Sequence, residues 1–166
     1  FETELGPFDV AIAAEAAPAT ATNFLKYVDE GFYNGGRFHR SVRLDNQRRS
    51  DVLIEVIQGG VSRDRRGNGY PPVSLERTRD TGLRHEDGTI SMARGSPDSA
   101  RSDIFICIGA QPSLDFGGTR NADGQGFAAF GAVVTGMNVI RKIHTSPTQG
   151  ESLNPAIRIV SAHRLR

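Results

Sequence analysis

The stretch FHRSVRLDNQRRSDVLIEVIQGG spans residues 38–60 and contains two predicted β-strands. Apolar and polar residues mix at both of its ends in the way that half-buried strands require, which predicts strands over 38–42 and 52–58. Arg40 lies in the first strand and Gln58 in the second. Between them the charged segment RLDNQRRSDV predicts a loop. A long polar side chain on each of two neighbouring strands therefore needs a functional or structural reason.

More strands are predicted on both sides of this stretch, together with two helices. The strands are GTISMA (88–93), IFICI (104–108), FAAFGAVV (127–134) and the terminal strand 157–163, with a hairpin over 1–13 that turns at Gly6-Pro7. One helix is expected to open near Pro18 and to end at Gly31, because proline suits the first helical turn and glycine the exit. The second helix is predicted over 137–143.

Many short strands and only two helices favour a closed or nearly closed β-barrel with helices on its ends. A β-sandwich is the alternative architecture, less favoured because two helices would then need separate docking faces. The length of 166 residues suits one domain over 1–166.

Composition excludes several classes of function. The formal net charge is +1, and the arginines of 43–51 and 62–69 alternate with Asp and Gly, which indicates solvated loops rather than a nucleic-acid surface. No apolar run approaches the roughly 18 residues that a membrane span needs, so no membrane partner is expected. The lone Cys107 lies in an apolar run and is expected to be buried. The chain begins at Phe1 without Met, so we expect an exported, periplasmic protein, with the cytoplasm as the alternative.

The search for metal, nucleophile and cofactor motifs gives little. The four histidines are widely separated, so no metal site is predicted. The residue count leaves a Ser-His-Asp triad open, but no G-x-S-x-G motif occurs. The glycine-rich segment 117–126 has no following Lys-Ser/Thr, which makes phosphate binding a weak interpretation. No cofactor is expected.

Several short motifs occur in a consistent order along nearly the whole chain. They are FHR (38–40), IQGG (57–60), GTISMAR (88–94), FICIG (105–109), SLD (113–115) and FAAFGAVVTGMNVIRKI (127–143). In this order and spacing the sequence resembles the cyclophilin family of peptidyl-prolyl cis-trans isomerases, in a divergent bacterial form. The resemblance implies an eight-stranded antiparallel closed β-barrel capped by two α-helices, with a substrate groove on its outer face.

The resemblance also implies roles for individual residues. Arg40 matches the catalytic arginine, and Gln58 matches the glutamine that orients it. Phe105 is expected at the floor of the proline pocket, and Arg94 is expected to contact the substrate through its backbone. The full set of expected substrate-binding residues is Phe38, Val56, Ala93, Arg94, Asp103, Phe105, Leu114 and Phe127.

The sequence departs from the family pattern beside these residues. The connection between Arg40 and Gln58 is about ten residues longer than usual, and Glu55 stands where a pocket aromatic is common. Ser113 replaces an aromatic, and the chain has no Trp, which predicts poor cyclosporin binding. We expect Glu55 and Asp103 to place negative charge near Arg40. Two interpretations stay open: either carboxylate pairs with the guanidinium and holds it away from the prolyl nitrogen, or the carboxylates select substrates with basic residues beside the proline. We also expect weaker isomerase activity than in a typical member.

Two functions follow as expectations. The first is a peptidyl-prolyl cis-trans isomerase that assists protein folding, acting on proline-containing polypeptides as a monomer. The alternative is a non-catalytic module or chaperone that binds proline-containing segments in the same groove without accelerating their rotation.

Overall fold

Ten β-strands form one antiparallel sheet in residues 1–165, the part of the chain that the computed structural model describes. The strands are β1 Glu2–Thr3, β2 Gly6–Pro7, β3 Asp9–Ile12, β4 Arg37–Val42, β5 Val56–Gly60, β6 Thr89–Met92, β7 Ile104–Cys107, β8 Ala129–Thr135, β9 Thr148–Gln149 and β10 Ser152–Ser161. The α-helices are α1 Pro18–Asp29, α2 Thr78–Thr81 and α3 Met137–His144, and short 3₁₀ helices cover Arg63–Asn68 and Pro112–Leu114.

The sheet curls into a nearly closed barrel. Its strand order is β2-β1-β10-β4-β5-β7-β6-β8-β3, with β9 paired to β10. The two end strands, β2 and β3, are consecutive in sequence and separated only by Phe8. The predicted fold class, a mainly β antiparallel barrel with helices, is confirmed. Residues 1–165 form ten strands instead of the expected eight; three of the ten, β1, β2 and β9, have only two residues each, and α2 adds a one-turn helix.

Two predicted boundaries are wrong for local reasons. Gly6 and Pro7 form β2 instead of a turn, and the turn lies at Glu4 and Leu5, where the Thr3 hydroxyl accepts a bond from Leu5 N. The strand predicted over 52–58 begins only at Val56. The residues before it are held by side-chain bonds to Gln47 rather than by a strand partner.

Apolar side chains form two separate clusters, one on each face of β5 and β7. The interior core fills the barrel and includes Phe8, Phe24, Phe38, Ile57, Ile90, Ile104, Ile106, Phe130, Ile140 and Ile159. The outer cluster consists of Val42, Ile54, Val56, Phe105, Cys107 and Leu114, with Ala93 and Phe127 packed against it. Side chains alternate between the two faces of a strand, so all four residues of β7 are buried.

Helices α1 and α3 confirm the sequence prediction and close the barrel. Pro18 stands in the first turn of α1, and the carboxylate of Glu76 accepts bonds from Ala19 N and Thr20 N at 3.0 and 2.8 Å. These bonds satisfy backbone donors that a helix start leaves free. Within residues 1–165, no helix has both the length and the apolar character that crossing a membrane requires.

Candidate active site

A β-bulge at His39 turns Arg40 toward the outer face of the barrel. Phe38 pairs with Gly59 and Arg40 pairs with Gln58, so two residues of β4 oppose one step of β5. Strict alternation would point Phe38 and Arg40 to the same face, but the extra residue breaks it. Phe38 is therefore fully buried inside the barrel, whereas Arg40 lies outside and is one third exposed.

The guanidinium of Arg40 is held from two sides. Its Nη1 donates to Gln58 Oε1 at 3.0 Å, and its Nη2 donates to Glu151 Oε1 and Oε2 at 3.3 and 3.4 Å. Glu151 lies between β9 and β10, and its backbone oxygen accepts a bond from Ser41 N on β4. The predicted contact between Arg40 and Gln58 is thus present, and a carboxylate 111 residues away adds a second restraint.

Neither of the carboxylates expected beside Arg40 pairs with it. Glu55 Oε2 lies 3.6 Å from His144 Nε2. Asp103 Oδ2 lies 3.4 Å from His39 Nε2 and accepts from Gln58 Nε2 at 3.3 Å. Of the two interpretations of these carboxylates, the direct pair with Arg40 is not formed, because Asp103 reaches Arg40 only through the amide of Gln58 and Glu55 lies against α3.

The charge of Asp103 is maintained by its neighbours. Burial alone raises the pKa of this carboxyl group, but the hydrogen bond and charge of His39, the charge of Arg66 and the bond from Gln58 lower the pKa by more. The pKa of Asp103 therefore lies below its ordinary value. An ionised Asp103 accepts the amide N–H of Gln58 and so directs Gln58 Oε1 toward Arg40.

A cavity of about 200 Å³ opens beside Arg40 on the outer face. We call it the outer cavity, and it is lined by Arg40, Ile54, Val56, Ala93, Arg94, Phe105, Leu114, Arg120, Asn121 and Phe127. Drug-sized ligands occupy pockets of roughly 300–1,000 Å³, so the outer cavity suits one side chain rather than a large cofactor.

Aromatic side chains form the back of the outer cavity. Phe105 and Phe127 meet edge to face with ring centroids 5.3 Å apart, and the His85 ring stacks on Phe105 at 5.8 Å. His85 is fixed by Asp115 Oδ1, 2.7 Å from its Nδ1, and by Ser91 Oγ, 2.9 Å from its Nε2. Ser91, His85 and Asp115 are hydrogen-bonded in the same sequence as a catalytic Ser-His-Asp triad. Ser91 is fully buried, however, so no substrate reaches it. They act as a rigid support for Phe105.

Arg94 lies beneath the loop 115–126 instead of projecting into solvent. Its guanidinium pairs with Asp123 at 3.0 Å, donates twice to Gly126 O and packs 5.1 Å from the ring centre of Phe127. Its side chain is 1% exposed. Arg94 therefore fixes both the loop and the aromatic wall of the outer cavity.

The long connection 43–55 is ordered by side-chain bonds. Gln47 donates to Arg43 O and Ile54 O and accepts from Ile54 N, which brackets the loop. Arg43 donates to His144 O at the end of α3 and to Thr148 Oγ1 on β9. This bracket places Ile54 in the outer cluster, where it supplies apolar surface.

The structure brings most of the predicted site residues together. Arg40, Val56, Ala93, Arg94, Phe105, Leu114 and Phe127 all line the outer cavity. Gln58 and Asp103 line an adjoining depression of about 410 Å³. The expectation that Phe38 contacts substrate is wrong, since the bulge leaves it in the interior core. Sequence reasoning missed Ile54, Arg120, Asn121 and Glu151, which come from loops that carry no local motif.

Among the described residues, those that line the outer cavity supply hydrogen-bond donors and apolar surface, and none of them is a reactive nucleophile. Within residues 1–165, no three His, Cys, Asp or Glu side chains lie close enough to hold a metal ion. Burial raises the pKa of the Cys107 thiol, so Cys107 stays protonated inside the outer cluster.

Comparison with known proteins agrees with this geometry. The family model described as "Cyclophilin type peptidyl-prolyl cis-trans isomerase/CLD" matches residues 1–164. The chain belongs to this family. Cyclophilins of this type are isomerases, so the predictions of the family and of the enzyme class are confirmed.

Bacterial members of the family are similar over most of their length. Peptidyl-prolyl cis-trans isomerase A of Dickeya dadantii is 41% identical over 155 residues, covering 92% of this chain and 73% of that protein. Peptidyl-prolyl cis-trans isomerase B of Escherichia coli is 33% identical over 144 residues, covering 86% and 81%.

A solved structure shows the same barrel. A cyclophilin-type isomerase of Cryptosporidium parvum, crystallised in the presence of the dipeptide Ala-Pro, superposes with a TM-score of 0.77. The alignment covers 99% of this chain and 97% of that one, at 19% identity. The likeness supports the cyclophilin fold of this chain.

Proposed function

We propose that this cyclophilin accelerates rotation about X-Pro bonds of polypeptides, with Arg40 as the catalytic residue, and thereby assists protein folding. The observation that carries the proposal is a fixed guanidinium at the edge of a small apolar cavity. The outer cavity takes the proline ring, and Arg40 donates a hydrogen bond to the prolyl nitrogen.

The chemistry requires a donor at that nitrogen. Amide resonance opposes rotation with a barrier of about 18–20 kcal/mol. In the twisted transition state the resonance is lost, and the nitrogen gains a lone pair that accepts a hydrogen bond. A donor at this position stabilises the twisted state more than either planar isomer, which is the differential binding that raises kcat.

Arg40 is suited to this role by its chemistry and its restraints. Arginine stays charged and carries five N–H donors in a planar fork. Gln58 and Glu151 accept from Nη1 and Nη2, and within residues 1–165 no acceptor binds Nε. Donors therefore remain for a substrate, and the bond to Gln58 orients the guanidinium, while Glu151 competes for Nη2.

The apolar lining determines which part of the substrate moves. Phe105, Phe127 and Leu114 grip the proline ring on the rigid support of His85. The segment that precedes the proline has to rotate, because the ring is held. The residues that follow the proline stay in place throughout the reaction.

The test is exchange NMR on a short Ala-Pro peptide. Removal of a single transition-state donor costs about 10²–10³-fold in other enzymes, and we expect a loss of this order in kcat/KM for Arg40→Ala. Arg37→Ala is the matched control, since Arg37 lies on the same strand and does not line the outer cavity. Wild-type exchange rates in the Arg40→Ala variant would overturn the proposal.

A non-catalytic peptide-binding module is the second candidate, and the ion pair of Arg40 with Glu151 favours it. A carboxylate that occupies the guanidinium competes with the prolyl nitrogen for it. This candidate predicts peptide binding in the outer cavity with no exchange that depends on Arg40. The same NMR series separates the two candidates.

The monomeric state, the single domain and the periplasmic location stay predictions. Light scattering on the purified protein tests the first, the cooperativity of unfolding tests the second, and cell fractionation tests the third.

A further inference from the structure

The rim of the outer cavity carries a second cationic side chain. Arg120 and Asn121 lie on the loop 115–126 and line the outer cavity together with Arg40. Among the described residues, no Asp or Glu lines this cavity. A cavity with an apolar floor and a rim of hydrogen-bond donors suits a ligand group that is an acceptor.

Arg120 is held where two loops meet. Its Nη1 donates to Val52 O at 2.7 Å, and its own backbone oxygen accepts from Arg49 Nη1. Arg49 also pairs with Asp51 at 2.8 Å. The connection 43–55 and the loop 115–126 therefore lock each other, and Arg120 needs little ordering to receive a ligand. Such preorganisation lowers the entropic cost of binding.

The electrostatic setting of Arg120 also favours an anion. Burial lowers the pKa of Arg120, the charges of Arg49 and Arg40 lower it further, and the charges of Glu151 and Asp51 raise it. The net result is a lowered pKa, chiefly because of burial, and Arg120 shares the lining of the outer cavity with a second cation, Arg40. A carboxylate placed between Arg120 and Arg40 would relieve their repulsion.

Asn121 is the second polar residue of the loop 115–126 on this rim. Its Nδ2 is buried and has no hydrogen-bond partner in the described structure. Buried donors in folded proteins are nearly always paired, and an unpaired one is costly. This nitrogen is enclosed where it stands, but Asn121 lines the outer cavity, so rotation of its side chain would present the amide to an acceptor on a bound substrate.

We propose that Arg120 and Asn121 bind a substrate carboxylate on the C-terminal side of the proline. This inference rests on the proposed function, because it takes the outer cavity as the proline site. The carboxylate comes either from an Asp or Glu directly after the proline or from the end of a chain that terminates in proline.

The position after the proline follows from the reaction. The preceding segment rotates, so an ion pair with it would have to break in each turnover. The residue after the proline keeps its place in the cis, trans and twisted states. A contact made equally in all these states lowers KM and leaves kcat nearly unchanged.

The experiment compares matched peptides by exchange NMR with the wild-type protein. Ala-Ala-Pro-Glu-amide is set against Ala-Ala-Pro-Gln-amide, and Ala-Ala-Pro with a free carboxylate against its amide. We expect about tenfold lower KM for at least one acidic peptide, as one charge-assisted hydrogen bond provides, with kcat within about twofold. The first pair tests a side-chain source and the second a chain terminus. Added salt should reduce the difference in KM between the acidic and the neutral peptides.

Variants then assign the effect to the rim. Arg120→Gln should bring the ratio of KM between neutral and acidic peptides close to one. Arg84→Gln is the control, because Arg84 is exposed, does not line the outer cavity and loses the same charge. Equal KM for acidic and neutral peptides in a protein that catalyses both would overturn this inference alone. Absence of catalysis on every peptide would instead overturn the proposed function.

Discussion

The two faces of β7 show how differently the barrel and the site are built. Ile104 and Ile106 point into the interior core, whereas Phe105 and Cys107 point into the outer cluster. The interior core is built mainly from residues of the strands and of helices α1 and α3. The outer cluster is closed by loops, which are held by side-chain bonds from Gln47, Arg94 and Arg120.

This difference separates stability from activity along a single strand. Interior side chains contribute only by filling the core, so their substitution should change the free energy of unfolding and should leave kcat and KM nearly unchanged. Outer residues depend on polar contacts from distant loops, so their substitution should change kcat or KM, and it should also change the free energy of unfolding where a buried polar support is lost. The following predictions test that separation.

The largest effect is expected inside the barrel. Ile106 is fully buried, and truncation of such a residue to alanine costs about 2–5 kcal/mol through lost contacts and a residual cavity. We expect Ile106→Ala to lower the free energy of unfolding by this amount in urea titrations. The kcat/KM of the folded fraction, measured at low temperature, should stay within about twofold of wild type. A large loss of kcat/KM in well-folded Ile106→Ala would break the separation of the two faces.

The support beneath Phe105 should give the next largest effect, and it should depend on pH. Burial raises the pKa of Asp115, but its bonds from the side chain and backbone of His85 lower the pKa by more, so the pKa lies below its ordinary value. A carboxylate with a lowered folded pKa stabilises the protein above the unfolded value of about 3.9 and loses that contribution as pH falls through the folded pKa.

Asp115→Asn tests this support. Loss of a bond to a buried or charged partner costs about 1–3 kcal/mol, and we expect a destabilisation in this range at pH 6.5. The difference between wild type and variant should shrink when unfolding is measured below pH 4. Asp80→Asn, which removes a carboxylate of an exposed pair with Arg79, should show much smaller effects of both kinds, because solvent screens an exposed pair. A difference that is constant from pH 6.5 to pH 3 would contradict the role of the ionised carboxylate.

The sequence predicted the barrel well because alternation and turn residues are local signals. The strands β4, β6, β7, β8 and β10 and the helices α1 and α3 all overlap their predicted ranges. The bulge at His39 was not predictable from periodicity, because one extra residue leaves the composition of a strand unchanged. It decides, however, that Arg40 faces outward and Phe38 inward.

The site was predicted only where family motifs mark it. Arg40 and Gln58 lie in such motifs, and their contact is present. Glu151 could not be found from sequence, because it meets Arg40 through the pairing of β10 with β4. Arg120 and Asn121 were missed for the same reason, since their place on the outer cavity depends on the packing of the loop 115–126 against the connection 43–55.

The third prediction concerns the amide that links Asp103 to Arg40. Gln58→Leu removes both of its hydrogen bonds while keeping similar bulk. A bond to a charged group contributes about 1.5–3 kcal/mol, so a partial loss of orientation should lower kcat about tenfold. We expect KM for a neutral Ala-Pro peptide to change by less than about threefold, because the apolar lining remains. An unchanged kcat in steady-state exchange NMR would show that Gln58 does not position Arg40.

The smallest effect is expected at the second restraint on the guanidinium. Glu151 holds Arg40 Nη2 in an ion pair that is partly exposed. Exposed pairs contribute only about 0.2–1 kcal/mol, so release of the pair by Glu151→Gln should raise kcat about two- to fivefold. Asp29→Asn removes an equal charge from a pair with Arg164 on the surface and should leave kcat unchanged. A fall in kcat for Glu151→Gln would mean that the carboxylate orients Arg40 rather than competing for it, and the outer face would then need both restraints for catalysis.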